Sequence, residues 1–158
     1  MRALIIGVTG QDGAYLAKFL LNKGYVVYGT YRRSSTANFW RLEYLDIFNR
    51  VSLIPADLSD SSSLVEALDI SKPEEVYHLA AQSFVEASFE TPVATGDVTG
   101  SAVTRILEAV RHKHNSTKCY FAATSEMFGK RGLIANKPLC EEDGFHPMSP
   151  YAAAKLYG

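Results

Sequence analysis

The 158-residue sequence predicts an α/β fold built on a doubly wound parallel sheet, and three observations carry that prediction. Short apolar runs alternate with segments of helical periodicity along the chain. The apolar runs lack clean polar alternation, as strands covered on both faces do. Polar and glycine-rich motifs fall just after those runs, where an open parallel sheet presents its carboxyl ends. Right-handed crossovers complete the arrangement.

The first run, "RALIIGV" (2–8), reads as a fully buried strand. Between Gln11 and Lys23, Leu16, Phe19 and Leu20 recur at helical spacing, and Gly24 stands where a helix C-cap belongs. "YVVYGTY" (25–31) and "VSLIPAD" (51–57) are the second and third strands. Asp60 or a neighbouring serine of "SDSSS" caps a helix carrying Leu64, Val65 and Leu68. "EEVYHLAA" (74–81) is the fourth strand, with His78 expected as a hydrogen-bonded core residue. Residues 93–112 predict one long helix, with Val98, Ala102, Ile106 and Val110 four apart. "KCYFAAT" (118–124) is the fifth strand, and a last helix opens near Ser149-Pro150-Tyr151.

Composition narrows the function classes. With 47% hydrophobic and 21% charged residues the chain suits one domain with a single core. The formal net charge of −1 gives no basic field to draw nucleic acid or anionic lipid. "ALIIGV" is too short for a signal-sequence core, and no later run reaches membrane-spanning length. Cys119 and Cys140 show neither metal-ligand spacing nor a disulfide framework, which favours a reducing, cytoplasmic setting. No metal site is expected from the four histidines; His112 and His114 point to different sides of a helix. "NST" (115–117) matches a glycosylation acceptor and, without a secretion signal, reads as chance.

"GVTGQDG" joins the first strand to the first helix, with Gly7, Gly10 and Gly13 three apart. Such glycines serve a tight turn, close backbone approach to a pyrophosphate, and close packing of helix on strand. The helix N-terminus offers N–H groups and a positive dipole end to the anion. Thr9, Gln11 and Asp12 belong to the same loop, so the sequence predicts a Rossmann-type dinucleotide site over residues 1–158. An NAD-preferring site carries a carboxylate after the second strand; here "TYRRSS" places Arg32 and Arg33. Guanidinium forks match a 2′-phosphate, so NADP is the predicted cofactor. Asp57 in "PADL", followed by Leu58, is placed to accept from the adenine amino group or to cap a turn. "LAAQS" ends the fourth strand with small residues, and Leu79, Ala80, Ala81 and Ser83 are expected along the cofactor.

Tyr151 and Lys155 in "SPYAAAKLY" are four apart and share one helix face. A free phenol ionises near pH 10, so a phenol acting as base near neutrality needs about 4 kcal/mol of help. A neighbouring ammonium and an oxidised nicotinamide both favour the phenolate. With Thr124 bonding the reacting hydroxyl and Lys155 holding the nicotinamide ribose, the set fits hydride transfer on a secondary alcohol. Glu126 in "FAATSEMFG" is, by itself, either a solvated loop carboxylate or a base held over reacting atoms.

Together "GVTGQDG", "YRRSS", "LAAQSFVEASFETP", "TSEMFG" and "SPYAAAKLY" resemble the extended short-chain dehydrogenase/reductases, and within them the GDP-mannose 4,6-dehydratases. The resemblance runs from Met1 to Gly158. It implies that Tyr151 is the base for oxidation at the sugar's 4-position, tuned by Lys155 and assisted by Thr124. Glu126 would take the proton beside the new ketone, water would leave from position 6, and the hydride would return there. Ser125 separates this branch from the dTDP-glucose dehydratases, which carry Thr-Asp-Glu; Ser83, Ser125 and Glu126 would meet the substrate. Met148 stands where an arginine often precedes Ser-Pro-Tyr, and Phe128 replaces a frequent tyrosine. Tetramer or dimer formation is also implied, with "SSTANFWRLEYL" (34–45) as the contact. The family's substrate domain has no counterpart here, so the resemblance further implies a fragment with little turnover alone. The other readings are another NADP-dependent epimerase, reductase or dehydratase of nucleotide sugars, and a non-catalytic NADP-binding regulatory module.

Overall fold

The computed structural model describes residues 1–36, 38–114, 116–131 and 138–158. Asn115 of the "NST" match and Ala37 of the expected subunit contact lie outside the described residues. Five strands, β1 (Arg2–Ile6), β2 (Val26–Tyr31), β3 (Ser52–Pro55), β4 (Glu75–His78) and β5 (Lys118–Phe121), form one parallel sheet in the order β3-β2-β1-β4-β5. The helices are α1 (Gln11–Asn22), α2 (Trp40–Tyr44), α3 (Ser61–Ser71), α4 (Ala87–Glu90), α5 (Pro92–Thr95), α6 (Ala102–Lys113) and α7 (Pro150–Tyr157). A π-helical segment, Gly96–Ser101, joins α5 to α6, and 3-10 turns occupy Phe48–Arg50 and Ser125–Phe128.

The chain divides into two compact units, Met1–Ala80 with Val103–Ala122, and Ala81–Ala102 with Ala123–Gly158. In the first, β1 is central, with Ile6 opposite Thr30 on one side and His78 on the other. Ala3 and Ile5 of β1 point into one apolar layer with Ala14, Ala17 and Leu20 of α1. Leu4 and Ile6 point into the other with Leu64, Leu68 and Ile106. Both faces are dry, which is why the β1 sequence is apolar without alternation. The reversal of strand order between β1 and β4 creates a crevice at their carboxyl ends, the switch point of such sheets.

Several local expectations are corrected. Phe19 does not join the buried face of α1; it is 55% exposed, and the Lys23 ammonium lies 4.7 Å from its ring centroid. The smaller Ala14 and Ala17 take that face and let α1 approach the sheet closely. The helix over 93–112 is interrupted by the π-helical segment, which inserts one extra residue into a turn. The insertion shifts the buried positions by one: Thr95 and Thr99 are fully buried, while Val98 is only half-buried. Ala102, Ile106 and Val110 remain inside as expected. His114 lies beyond the end of α6, with Nε2 3.4 Å from the Asp69 carboxylate. His78 is buried and stacks on Phe121 at 5.5 Å. Asp60 caps α3 as expected, accepting from the Ser62 and Ser63 N–H groups. Among the described residues, no helix is long and apolar enough to cross a membrane.

Candidate functional site

In the first unit the chain leaves β1 through Gly7, whose φ of +94° lies in the left-handed region. A Cβ at Gly7 would stand 2.9 Å from the Ala80 Cβ, so the ends of β1 and β4 approach to contact at the switch point. A Cβ at Gly13 would fall on the Gly7 carbonyl oxygen, so α1 packs directly on the loop that precedes it. The loop is closed by the Gly10 N–H donating to the Gly7 carbonyl at 3.1 Å. Gly10 is the N-cap of α1 and provides no side-chain cap, leaving the first-turn N–H groups of Gln11, Asp12 and Gly13 open to an anion. From α2, Arg41 stacks over Trp40 and donates from Nη1 to the Thr9 carbonyl at 3.2 Å, holding the loop from outside.

Beyond β2 lies a hollow of about 190 Å³ whose lining includes Thr9, Arg32, Arg33, Ser34 and Asn38. Asp57 accepts from the Ser59 N–H at 2.9 Å and the Ser59 hydroxyl at 2.6 Å, and so caps the turn. The Ser59 hydroxyl, then its N–H, hold the Asp57 carboxyl below its ordinary range against the opposing effect of burial; Arg32 adds a smaller push. Leu58 gives its carbonyl to Arg105. Leu79 and Ala80 are half-buried just past β4. A larger hollow, about 550 Å³, runs along α3 from Ser61 to Ile70 and includes none of the candidate residues.

The second unit holds Ala81, Ser83, Thr124, Ser125, Glu126, Tyr151 and Lys155. Ser149 caps α7, its hydroxyl oxygen accepting from the Ala152 N–H at 3.0 Å, and Pro150 supplies a preset first turn. One turn on, Tyr151 and Lys155 are 8% and 4% exposed, with Lys155 Nζ 5.9 Å from the Tyr151 ring centroid. Burial pushes the Lys155 ammonium below its ordinary range. α7 packs on the π-helical segment and on the 3-10 turn Ser125–Phe128. Thr124 caps that turn, its hydroxyl oxygen accepting from the Glu126 N–H at 3.2 Å, and Ser125 and Glu126 are exposed. Ser83 is exposed and Ala81 half-buried.

Phe128 packs on Phe145 at 5.0 Å, and the His146 N–H donates to the Met127 carbonyl. Met148 lies against Gly129, the cap residue of the Glu126 turn, so this methionine packs where that turn ends. Arg41, Arg105 and Gly100 escaped the sequence reading. Gly100 could have been noticed as a glycine inside a helical pattern; the two arginines bond to backbone carbonyls and leave no motif. Among the described residues, no cluster of three or more His, Cys, Asp or Glu could hold a metal ion.

The profile of the family described as GDP-mannose 4,6 dehydratase matches residues 4–158. The chain belongs to the GDP-mannose 4,6-dehydratase family. GDP-mannose 4,6 dehydratase 1 of Arabidopsis thaliana is 51% identical over 164 aligned positions, covering 97% of this chain and 44% of its own. GDP-mannose 4,6 dehydratase of Homo sapiens is 48% identical, covering 98% of this chain and 43% of its own. The chain therefore spans less than half the length of these dehydratases. Among solved structures, the UDP-glucose 4-epimerase of Thermus thermophilus in complex with NAD has a TM-score of 0.83 at 28% identity, covering 98% of this chain and 47% of that one.

Proposed function

We propose that the protein is a GDP-mannose 4,6-dehydratase, a lyase forming GDP-4-keto-6-deoxymannose without net redox change. One observation carries this reading within the family. Tyr151 and Lys155, one turn apart and buried, share a unit with the exposed Glu126 on a turn capped by Thr124. Residues 1–158 would form the NADP-binding part. The glycine loop, its uncapped helix and the hollow beside Arg32 and Arg33 fit a dinucleotide with a 2′-phosphate. The NAD of the Thermus epimerase agrees with a nicotinamide cofactor, and the two arginines argue for NADP.

Held by the glycine loop and Lys155, NADP would supply an acceptor for the C4 hydride of the sugar and a donor for its return at C6. Tyr151 takes the proton of the 4-hydroxyl, Thr124 hydrogen-bonds that oxygen, and Lys155 favours the phenolate and holds the ribose. The 4-keto group acidifies the C5–H bond, and Glu126 takes that proton. The proton on Glu126 leaves with the 6-hydroxyl as water, and the one on Tyr151 balances the proton C5 regains. Ser83 and Ser125 would bond the sugar. The reading also includes a homo-oligomer with residues 34–45 as contact, testable by sedimentation, and a reducing cytoplasmic setting consistent with two free thiols.

The deciding experiment supplies the full-length protein with GDP-mannose and NADP and weighs the product. Loss of one water supports the dehydratase. An isomer would instead indicate an epimerase, the activity named for the Thermus structure. Consumption of added NADPH would indicate a reductase.

A further inference from the structure

We infer that Arg105 is a positioning residue for the adenosine half of the cofactor, an inference that rests on the dinucleotide reading above. Arg105 sits in the first turns of α6 and donates from Nη1 to the carbonyl of Leu58 at 3.1 Å, across 47 positions of sequence. Leu58 follows Asp57 on the turn that leaves β3.

That turn is closed on itself. The Asp57 N–H donates to the Ser63 hydroxyl at 3.1 Å, and the Ser59 hydroxyl donates to the Asp57 carboxylate at 2.6 Å. These bonds tie the turn to itself and to the first turn of α3. Besides α3, and the packing of Ala56 and Leu58 on the apolar layer, bonds to two further elements help to set its place. Just before the turn, the Ala56 N–H donates to the Tyr31 carbonyl at 3.0 Å, tying the chain to β2. On the other flank Arg105 ties the turn to α6. The Tyr31 end is also the end that carries Arg32 and Arg33 into their hollow, so Arg105 is one of the ties that set the Asp57 turn relative to it.

A charged donor to a partly buried carbonyl makes a stronger bond than a neutral one. Lysine can supply one donor in its place but not the planar fork. Loosening this flank should therefore weaken recognition of the adenosine end and spare the nicotinamide end.

The test is calorimetric titration of the purified protein with adenosine 2′,5′-bisphosphate and, separately, with nicotinamide mononucleotide. Arg105→Met is expected to weaken the bisphosphate about tenfold, with Arg105→Lys recovering part of the loss. Affinity for the mononucleotide should stay at the wild-type value in both. Unchanged bisphosphate affinity in Arg105→Met, or equal weakening of both fragments, overturns the inference while the dinucleotide reading stands. If Arg105→Met does not fold, Arg105→Lys decides: a selective loss of bisphosphate affinity supports the role, and wild-type affinity for it sinks the role. A wild-type protein that binds neither fragment would bring down the dinucleotide reading, and this inference with it.

Discussion

Thr124 caps the turn that presents Glu126, so removing the carboxylate need not disturb the turn. Glu126→Gln should slow dehydration about 10²–10⁴-fold, the usual contribution of a positioned base, while reduced cofactor still forms in a single turnover. Dehydration at the wild-type rate would return Glu126 to the status of a solvated carboxylate. Charge reversal of Arg32 and Arg33 should cut the NADP-to-NAD affinity ratio about 10–100-fold, the scale of one or two lost charged hydrogen bonds. Binding titrations with both dinucleotides measure it. Lys155 gives a pH signature because burial lowers its folded-state affinity for a proton. Between its folded and unfolded pKa values the unfolded chain holds the extra proton, so this residue's contribution to stability rises with pH across that window. Below the window its cost is fully present. Lys155→Met should therefore melt higher than wild type at neutral pH, and the gap should close as pH rises toward the ordinary lysine range; a pH-independent gap would contradict this. The glycine turn and the shared helix face of Tyr151 and Lys155 were legible because their spacing sets the backbone geometry. Arg41 and Arg105 were not, since any residue offers the backbone carbonyl each one holds.

All five strands were legible as elements because each apolar run outlasts the short ladder it forms, and only the ends moved. The π-helical segment was invisible for a physical reason: its residues keep helical composition, and one inserted position changes the phase and not the pattern. That phase shift brings Gly100 against α7. A Cβ there would lie 3.1 Å from the Ala154 carbonyl oxygen and 3.3 Å from Cδ1 of Tyr157. Gly100→Val should cost about 1–3 kcal/mol by overpacking and also lower activity, because α7 carries Tyr151 and Lys155. Gly96, at the start of the same segment, has helical φ and ψ of −59° and −42° and nothing within 4 Å of a Cβ. Gly96→Ala should be stabilising by about 0.4–1 kcal/mol. Thermal melts of the two variants should move in opposite directions; shifts of the same sign would refute the close-packing argument. The short α2 and α4 were missed because helices of five and four residues hold no full period of apolar spacing.

Across the whole molecule, apolar burial is uneven. The first unit holds two dry layers flanking its sheet, whereas the buried apolar residues of the second, among those described, are Ala102, Tyr151, Ala152 and Ala154. Local stability follows buried apolar contact, so hydrogen exchange should be faster through 81–102, 123–131 and 138–158 than through the strands. Mass spectrometry of exchanged peptides would test this, and uniform protection would count against it. The strand order has a consequence for biosynthesis. β1 pairs with β2 soon after both are made, but its other edge waits for His78, the partner of Ile6. Roughly seventy residues separate them, several seconds of translation at ~5–20 residues per second. For that interval the innermost strand of the finished sheet is a bare, apolar edge on a nascent chain, and the place where a stalled ribosome would expose the protein to aggregation.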